Sequence, residues 1–187
     1  NSFCTLLARK LMERLGEWTV ALVKGVRNAD PLLTAAEKGR LPCCVLRGEM
    51  VCSRMHLSVA VERLAKNPNL ARRADAIAPQ ARLMLALSPK SQRAMDAFAF
   101  TGEVPAGKAP EDDTCSGRLA LLALRDASEK QVEEALALAG GTVIPLAELT
   151  THADAAAVAE VYDVTPAELK VSTLSNAVAS HIAVFDV

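Results

Sequence analysis

The sequence predicts an α/β (α+β) fold, a small mixed sheet with several flanking helices. Half of the 187 residues are apolar, but aromatics make up only 3% and Ala, Leu and Val dominate. That composition suits helices packed on a modest sheet better than an aromatic-packed β sandwich. Short β-branched runs also recur between segments whose apolar residues fall three and four apart, with Gly and Pro at the joints.

Taken in order, Leu7, Leu11 and Leu15 share one side of a helix over residues 4–15, away from Arg9, Lys10, Glu13 and Arg14, and Gly16 stops it. "EWTVALVKGV" predicts a strand near 18–23. Asp30, as N-cap, and Pro31 open a short helix that Gly39 ends. "PCCVL" and "MVCSRM", separated by Arg47-Gly48-Glu49, predict two strands joined by a tight turn. A helix follows directly, with Leu57, Ala60, Val61 and Leu64 on one face. Ser88-Pro89 opens a helix to about Phe98.

Beyond the linker or surface loop at 101–117, Ser128 and Gln131 form a capping-box pattern for "EKQVEEALALA", which Gly140-Gly141 ends. "TVIPL" is a short strand. "DAAAVAEVY" and "PAELKVSTLSNAV" read as a helix pair, the second opened by Thr165, Pro166 and Glu168, and "HIAVFDV" as a closing strand.

Charge divides the chain. Residues 1–75 hold 13 Lys/Arg against 7 Asp/Glu, and residues 76–187 hold 8 against 15. The expected organisation is a basic core with an N-terminal helix (1–100), the linker (101–117), and an acidic helical extension with a terminal strand (118–187) packed on the core. A basic half favours a polyanion or nucleotide partner. No apolar stretch reaches the roughly 20 residues that span a bilayer, so no membrane insertion is expected and a cytoplasmic location is.

Cys43 and Cys44 are adjacent and Cys52 lies eight beyond Cys44. A tetrahedral zinc site needs four converging ligands, normally as two short pairs, so no structural zinc is expected and the cysteines read as reduced, buried small hydrophobes. Which residues would hold any other metal is left open. His152 and His181 read as caps or surface residues, and Trp18 as a core or edge anchor.

The chemistry-bearing junction is 53–58. A strand running into a helix N-terminus there brings Ser53, Arg54, His56 and Ser58 beside unpaired backbone N–H groups, an arrangement suited to phosphate. Arg54 adds a permanent forked charge. The alternative is an ordinary strand-to-helix turn with Arg54 solvated and His56 as a cap.

This order, a helix ending at Gly39, the "P-x-x-V" strand at Pro42–Val45, a turn, a second strand and the basic turn Cys52-Ser53-Arg54-Met55-His56, resembles the ParB/sulfiredoxin superfamily over residues 18–65. The family's turn carries glycine followed by arginine. Here Ser53 replaces the glycine, and Arg54 and His56 stand for the phosphate-contacting and catalytic positions. The resemblance implies ATP with Mg²⁺, with Ser53, Arg54, His56 and Ser58 binding nucleotide. Arg27, Asp30, Glu49 and Glu62 form a second tier, although the family's Gln-Pro-Arg signature is absent.

A plasmid fertility-inhibition (oncogenic-suppression) branch of that superfamily has chains of about this size. It implies a bacterial protein with ATPase and DNase activity that blocks DNA transfer through a type IV secretion system. Nucleic acid and a secretion-system coupling component would be its partners. Two alternatives are non-enzymatic. One is a DNA-binding regulator using the C-terminal helix pair, which offers Lys170 and Asn176 but sits in the acidic half, against phosphate attraction. The other is a protein-interaction module whose acidic C-terminal half docks on a basic partner.

Overall fold

A computed structural model of the chain describes residues 10–26, 29–76, 81–88, 93–101 and 118–184. Residues 102–117 of the expected linker, Arg27, Pro89 and residues 4–9 of the expected first helix lie outside these. The architecture is mixed α and β, a five-stranded sheet between two helical layers. The strands are β1 (Glu13–Leu15), β2 (Trp18–Val26), β3 (Cys43–Arg47), β4 (Arg118–Arg125) and β5 (Thr142–Ile144). All pairings are antiparallel, in the order β1-β2-β4-β3. β4 runs along one edge of β2 from Trp18 to Val26, so β1 at Trp18–Val20 and β5 at Leu22–Lys24 share the other edge. β2 and β3 are thus parallel across β4. The strand from the acidic region inserts between two strands of the basic region, so both halves build one sheet.

β2 and β3 are joined by α1 (Asp30–Glu37), with Pro31 in its first turn. Ala29, with no side-chain cap, holds the N-cap position expected for Asp30, which lies inside the first turn. Gly39 exits with φ +68°, a left-handed conformation that glycine adopts without penalty. A 3-10 turn, Gly48–Met50, follows β3, and residues 51–53 run unpaired into α2 (Arg54–Lys66). The expected second strand over "MVCSRM" is therefore not formed; its last residues are already helical. Next come α3 (Pro68–Ala76), α4 (Arg82–Leu87), α5 (Arg93–Phe98) and, after β4, α6 (Glu129–Ala139) with both halves of its capping box present.

The tail after β5 holds α7 (Leu149–His152), α8 (Ala155–Val161), α9 (Pro166–Val171) and α10 (Leu174–Val184). Two expectations change here. The segment from Pro166 to Val178 breaks at Ser172 into two helices, the second capped by the Thr173 hydroxyl, which accepts from the Asn176 N–H at 3.3 Å. The expected closing strand is helical through Val184, because Ala177, Val178 and Ile182 face the core as part of α10. At the front of the chain Glu13–Leu15 is strand, hairpinned onto β2 through Gly16.

Alternation along the strands splits the core into two layers. On one side Ala21, Val23, Cys43, Val45, Ala120, Leu122 and Leu124 meet α1 and α6. On the other, Trp18, Val20, Leu22, Cys44, Leu46, Leu121 and Ala123 meet α2, α4 and the tail. Cys43 and Cys44 therefore face opposite layers, and with Cys52 they are buried thiols outside any disulfide. Burial pushes both strand thiols up, that of Cys44 to about 12, which leaves them unreactive packing groups. Gly141 is required by contact, since a Cβ there would lie 2.5 Å from the Lys24 carbonyl oxygen.

Candidate functional site

α2 starts at Arg54 because Ser53 is extended and its hydroxyl accepts from the His56 N–H at 3.2 Å, an ordinary N-cap. The same hydroxyl lies 2.6 Å from that of Ser175, tying the start of α2 to the start of α10. Ser53 is thus occupied on both sides. Arg54 points outward and pairs with Glu13 of β1.

His56, expected beside Arg54 at a phosphate, is fully buried. Its Nδ1 accepts from the Cys52 backbone N–H at 3.3 Å, so the ring proton lies on Nε2, which donates to the Tyr162 hydroxyl at 2.7 Å. Tyr162 in turn donates to the Leu87 carbonyl at 2.5 Å. Every polar atom of this chain has a partner, and it joins α2, the end of α4 and the segment after α8. The ring packs edge-on against Phe98 and Tyr162. Burial lowers the imidazole pKa to about 3 and raises the phenol well above 10, so both groups are neutral at pH 7.

The remaining expected residues are dispersed. Ser58 is half-buried on α2. Glu49 takes Arg47 at 2.9 Å, Glu62 takes Lys66 one turn away, and Asp30 lies in the first turn of α1. Residues 53–58 therefore divide between a cap, a surface ion pair and a buried lock, and do not converge on one open point. Among the described residues no three His, Cys, Asp or Glu side chains come together as a metal site, and no helix is long and apolar enough to cross a membrane.

The residues missed in the sequence lie on the tail. Among those described, the exposed large apolar side chains are Met55, Leu169, Val171 and Val184. Three of the four belong to α9 and α10. α9 is held by its capping box, in which the Glu168 carboxylate accepts from the Thr165 N–H at 2.7 Å, and by a 2.8 Å bond from His181 of α10 to that carboxylate. These bonds, the Thr165 N–H first, lower the Glu168 pKa to about 2. The surrounding tail is acidic. Residues 146–184 hold Glu148, Asp154, Glu160, Asp163 and Glu168 against Lys170 as the one Lys or Arg.

The polar groups at 52–56 are thus consumed inside the fold, while apolar side chains are displayed on a small acidic arm. The family model for the kinase binding protein CGI-121 matches residues 23–186, and the chain belongs to that family. No curated protein matches it.

This membership corrects the ParB/sulfiredoxin resemblance and, with it, the fertility-inhibition reading: block of conjugative transfer, ATPase and DNase. The physical source of the error is visible. The strand-to-helix order at 43–66 is shared by unrelated folds. The second strand on which the resemblance relied is absent, and the histidine taken for a phosphate ligand is a core residue. The nucleic-acid and secretion-system partners, and ATP with Mg²⁺, lose that basis.

Proposed function

We propose that this protein is a non-catalytic interaction subunit that binds a protein kinase. The observation that carries the reading is the match to the kinase binding protein CGI-121 model across residues 23–186, nearly the whole chain. The geometry is consistent with it. The polar residues that could support chemistry at 52–56 are consumed in internal hydrogen bonds, while apolar side chains are left on the surface of the acidic tail. Of the readings open to the sequence, this is the interaction module with an acidic C-terminal half.

The test is direct binding. The purified chain is passed with each purified protein kinase of its source organism over a size-exclusion column, and binding is quantified by calorimetry. The expected outcome is a stoichiometric complex with one kinase and no gain in nucleotide hydrolysis from the chain alone. Failure of every kinase to bind would overturn the reading.

A further inference from the structure

α9 is the one described helix that buries no residue at all. Six residues are far fewer than the roughly 12–15 an isolated helix needs to persist in water, and α9 has no packed face to compensate. It is nevertheless fixed at several points. Thr165 and Glu168 form both halves of a capping box, Pro166 sets the first turn, and His181 bonds the Glu168 carboxylate from the neighbouring helix. What this fixing holds in place is an exposed pair of apolar side chains, Leu169 at 43% and Val171 at 88% exposure. Two positions apart on a helix they point to different sides, so α9 stands as a ridge with apolar flanks. Val184, 65% exposed, lies one turn beyond His181 on the face of α10 that reaches α9.

We infer that the α9 ridge is the surface through which the chain docks its kinase, seated in a groove with apolar walls and a Lys/Arg rim. The inference rests on the kinase-binding reading above and adds the site and its complement. The occupant's charge follows from the arm. Exposed Glu160 and Asp163 sit just before α9, and the tail's five acids face one lysine. A basic rim is attracted and an acidic one repelled, which sets partner choice and association rate. Seating a short preformed helix in a groove also avoids the ordering cost that a flexible peptide incurs.

The test uses the full chain, with Leu169→Asp/Val171→Asp as the main variant, Glu160→Lys/Asp163→Lys as the charge variant, and Lys38→Asp at the C-cap of α1, across the sheet, as control. The probe is whichever purified kinase of the source organism binds wild type. The main variant should bind about 100-fold more weakly, as two anchor residues of about tenfold each predict, with an unchanged thermal midpoint. The charge variant should slow association and flatten its salt dependence, and the control should bind like wild type. If wild type binds a kinase and the main variant binds within about twofold, this inference is wrong while the kinase-binding reading stands. If no kinase binds wild type, both fall. If wild type is instead a dimer that the main variant dissolves, the ridge serves a second copy of the chain and the inference is overturned.

Discussion

The first turn of α2 and the helix α9 carry opposite compositions and meet opposite fates. The α2 turn, Cys52 to His56, is written in polar and basic letters, yet its histidine is fully buried and its serine is bonded to Ser175 and to the helix it caps. α9 carries Leu and Val in its last turn, yet buries nothing. Polar groups can go inside when every donor and acceptor is met, and apolar groups left outside on a fixed element call for a partner. In this molecule the residues that break the burial rule inward are structural, and those that break it outward mark the surface for function.

The buried hydrogen-bond chain is most sensitive at Tyr162. Its ring is 1% exposed and its hydroxyl closes the chain from His56 to Leu87. Tyr162→Ala removes a large buried ring and leaves the imidazole N–H unmet, so the loss should be about 3–5 kcal/mol in chemical denaturation. Tyr162→Phe keeps the packing and should cost about 1–3 kcal/mol. A loss below 0.5 kcal/mol for the alanine variant, by the order of magnitude usual for surface changes, would show that the lock does not hold these helices.

A smaller effect comes from acid. His56 is held neutral in the fold, with its pKa lowered to about 3 from an ordinary 6.5. Below pH 6.5 the unfolded chain binds a proton that the folded chain refuses. Stability therefore falls with decreasing pH, by at most about 1.4 kcal/mol per unit, until the folded site titrates near pH 3. Glu168, ordinarily near 4.5 and lowered to about 2, adds a loss of the same sign only below about pH 4.5. The difference in denaturation between wild type and His56→Leu from pH 6.5 to 4.5 should thus isolate this histidine. His56→Leu should be less stable at pH 7 and lose the part of the slope that His56 supplies; an unaltered slope would remove His56 as its source.

Much of the fold could be read because local rules agree with the structure. β2, α1, β3, the Ser128 and Thr165 capping boxes and β5 all carry their own signals in turn residues and periodicity. β4 carries no such signal although it is one of the two inner strands. "RLALLALR" has no β-branched residue, and its Ala and Leu favour helix; only burial on both faces, between β2 and β3, makes it a strand. The end of α10, His181–Val184, reads as strand for the same reason in reverse, since the apolar set of α10 is ordered by packing on α2. The role of His56 could not be read at all, because its partner Tyr162 is 106 residues away. α9 was legible as a helix but not as a surface, since exposure belongs to the assembled tail and not to its letters.

Helix caps should show the same difference between buried and exposed elements. Ser128→Ala in α6 removes the cap of a helix that buries Val132, Ala135 and Ala139, so it should cost about 1 kcal/mol of global stability. Thr165→Ala removes an equivalent cap from a helix that buries nothing, so the global transition should move by less than about 0.5 kcal/mol. The amide protons of Leu169 and Val171 should instead lose protection in hydrogen exchange, because α9 opens by itself. Equal global losses in the two variants would mean that α9 is coupled to the core.

The smallest expected change in stability is the one that matters most for function. Leu169→Asp/Val171→Asp replaces side chains that are exposed, neither of them part of the buried core, so no core cavity opens and no buried group is stranded. Two further carboxylates beside Glu168 add only screened repulsion, and Val171→Asp sits in the last turn, where the helix dipole opposes negative charge by a few tenths of a kcal/mol. The denaturation midpoint should stay within about 0.5 kcal/mol of wild type. A loss of 2 kcal/mol or more, the scale of a vacated core position, would mean that these side chains pack in solution after all. The contrast between a sealed α2 turn and an open α9 would then collapse.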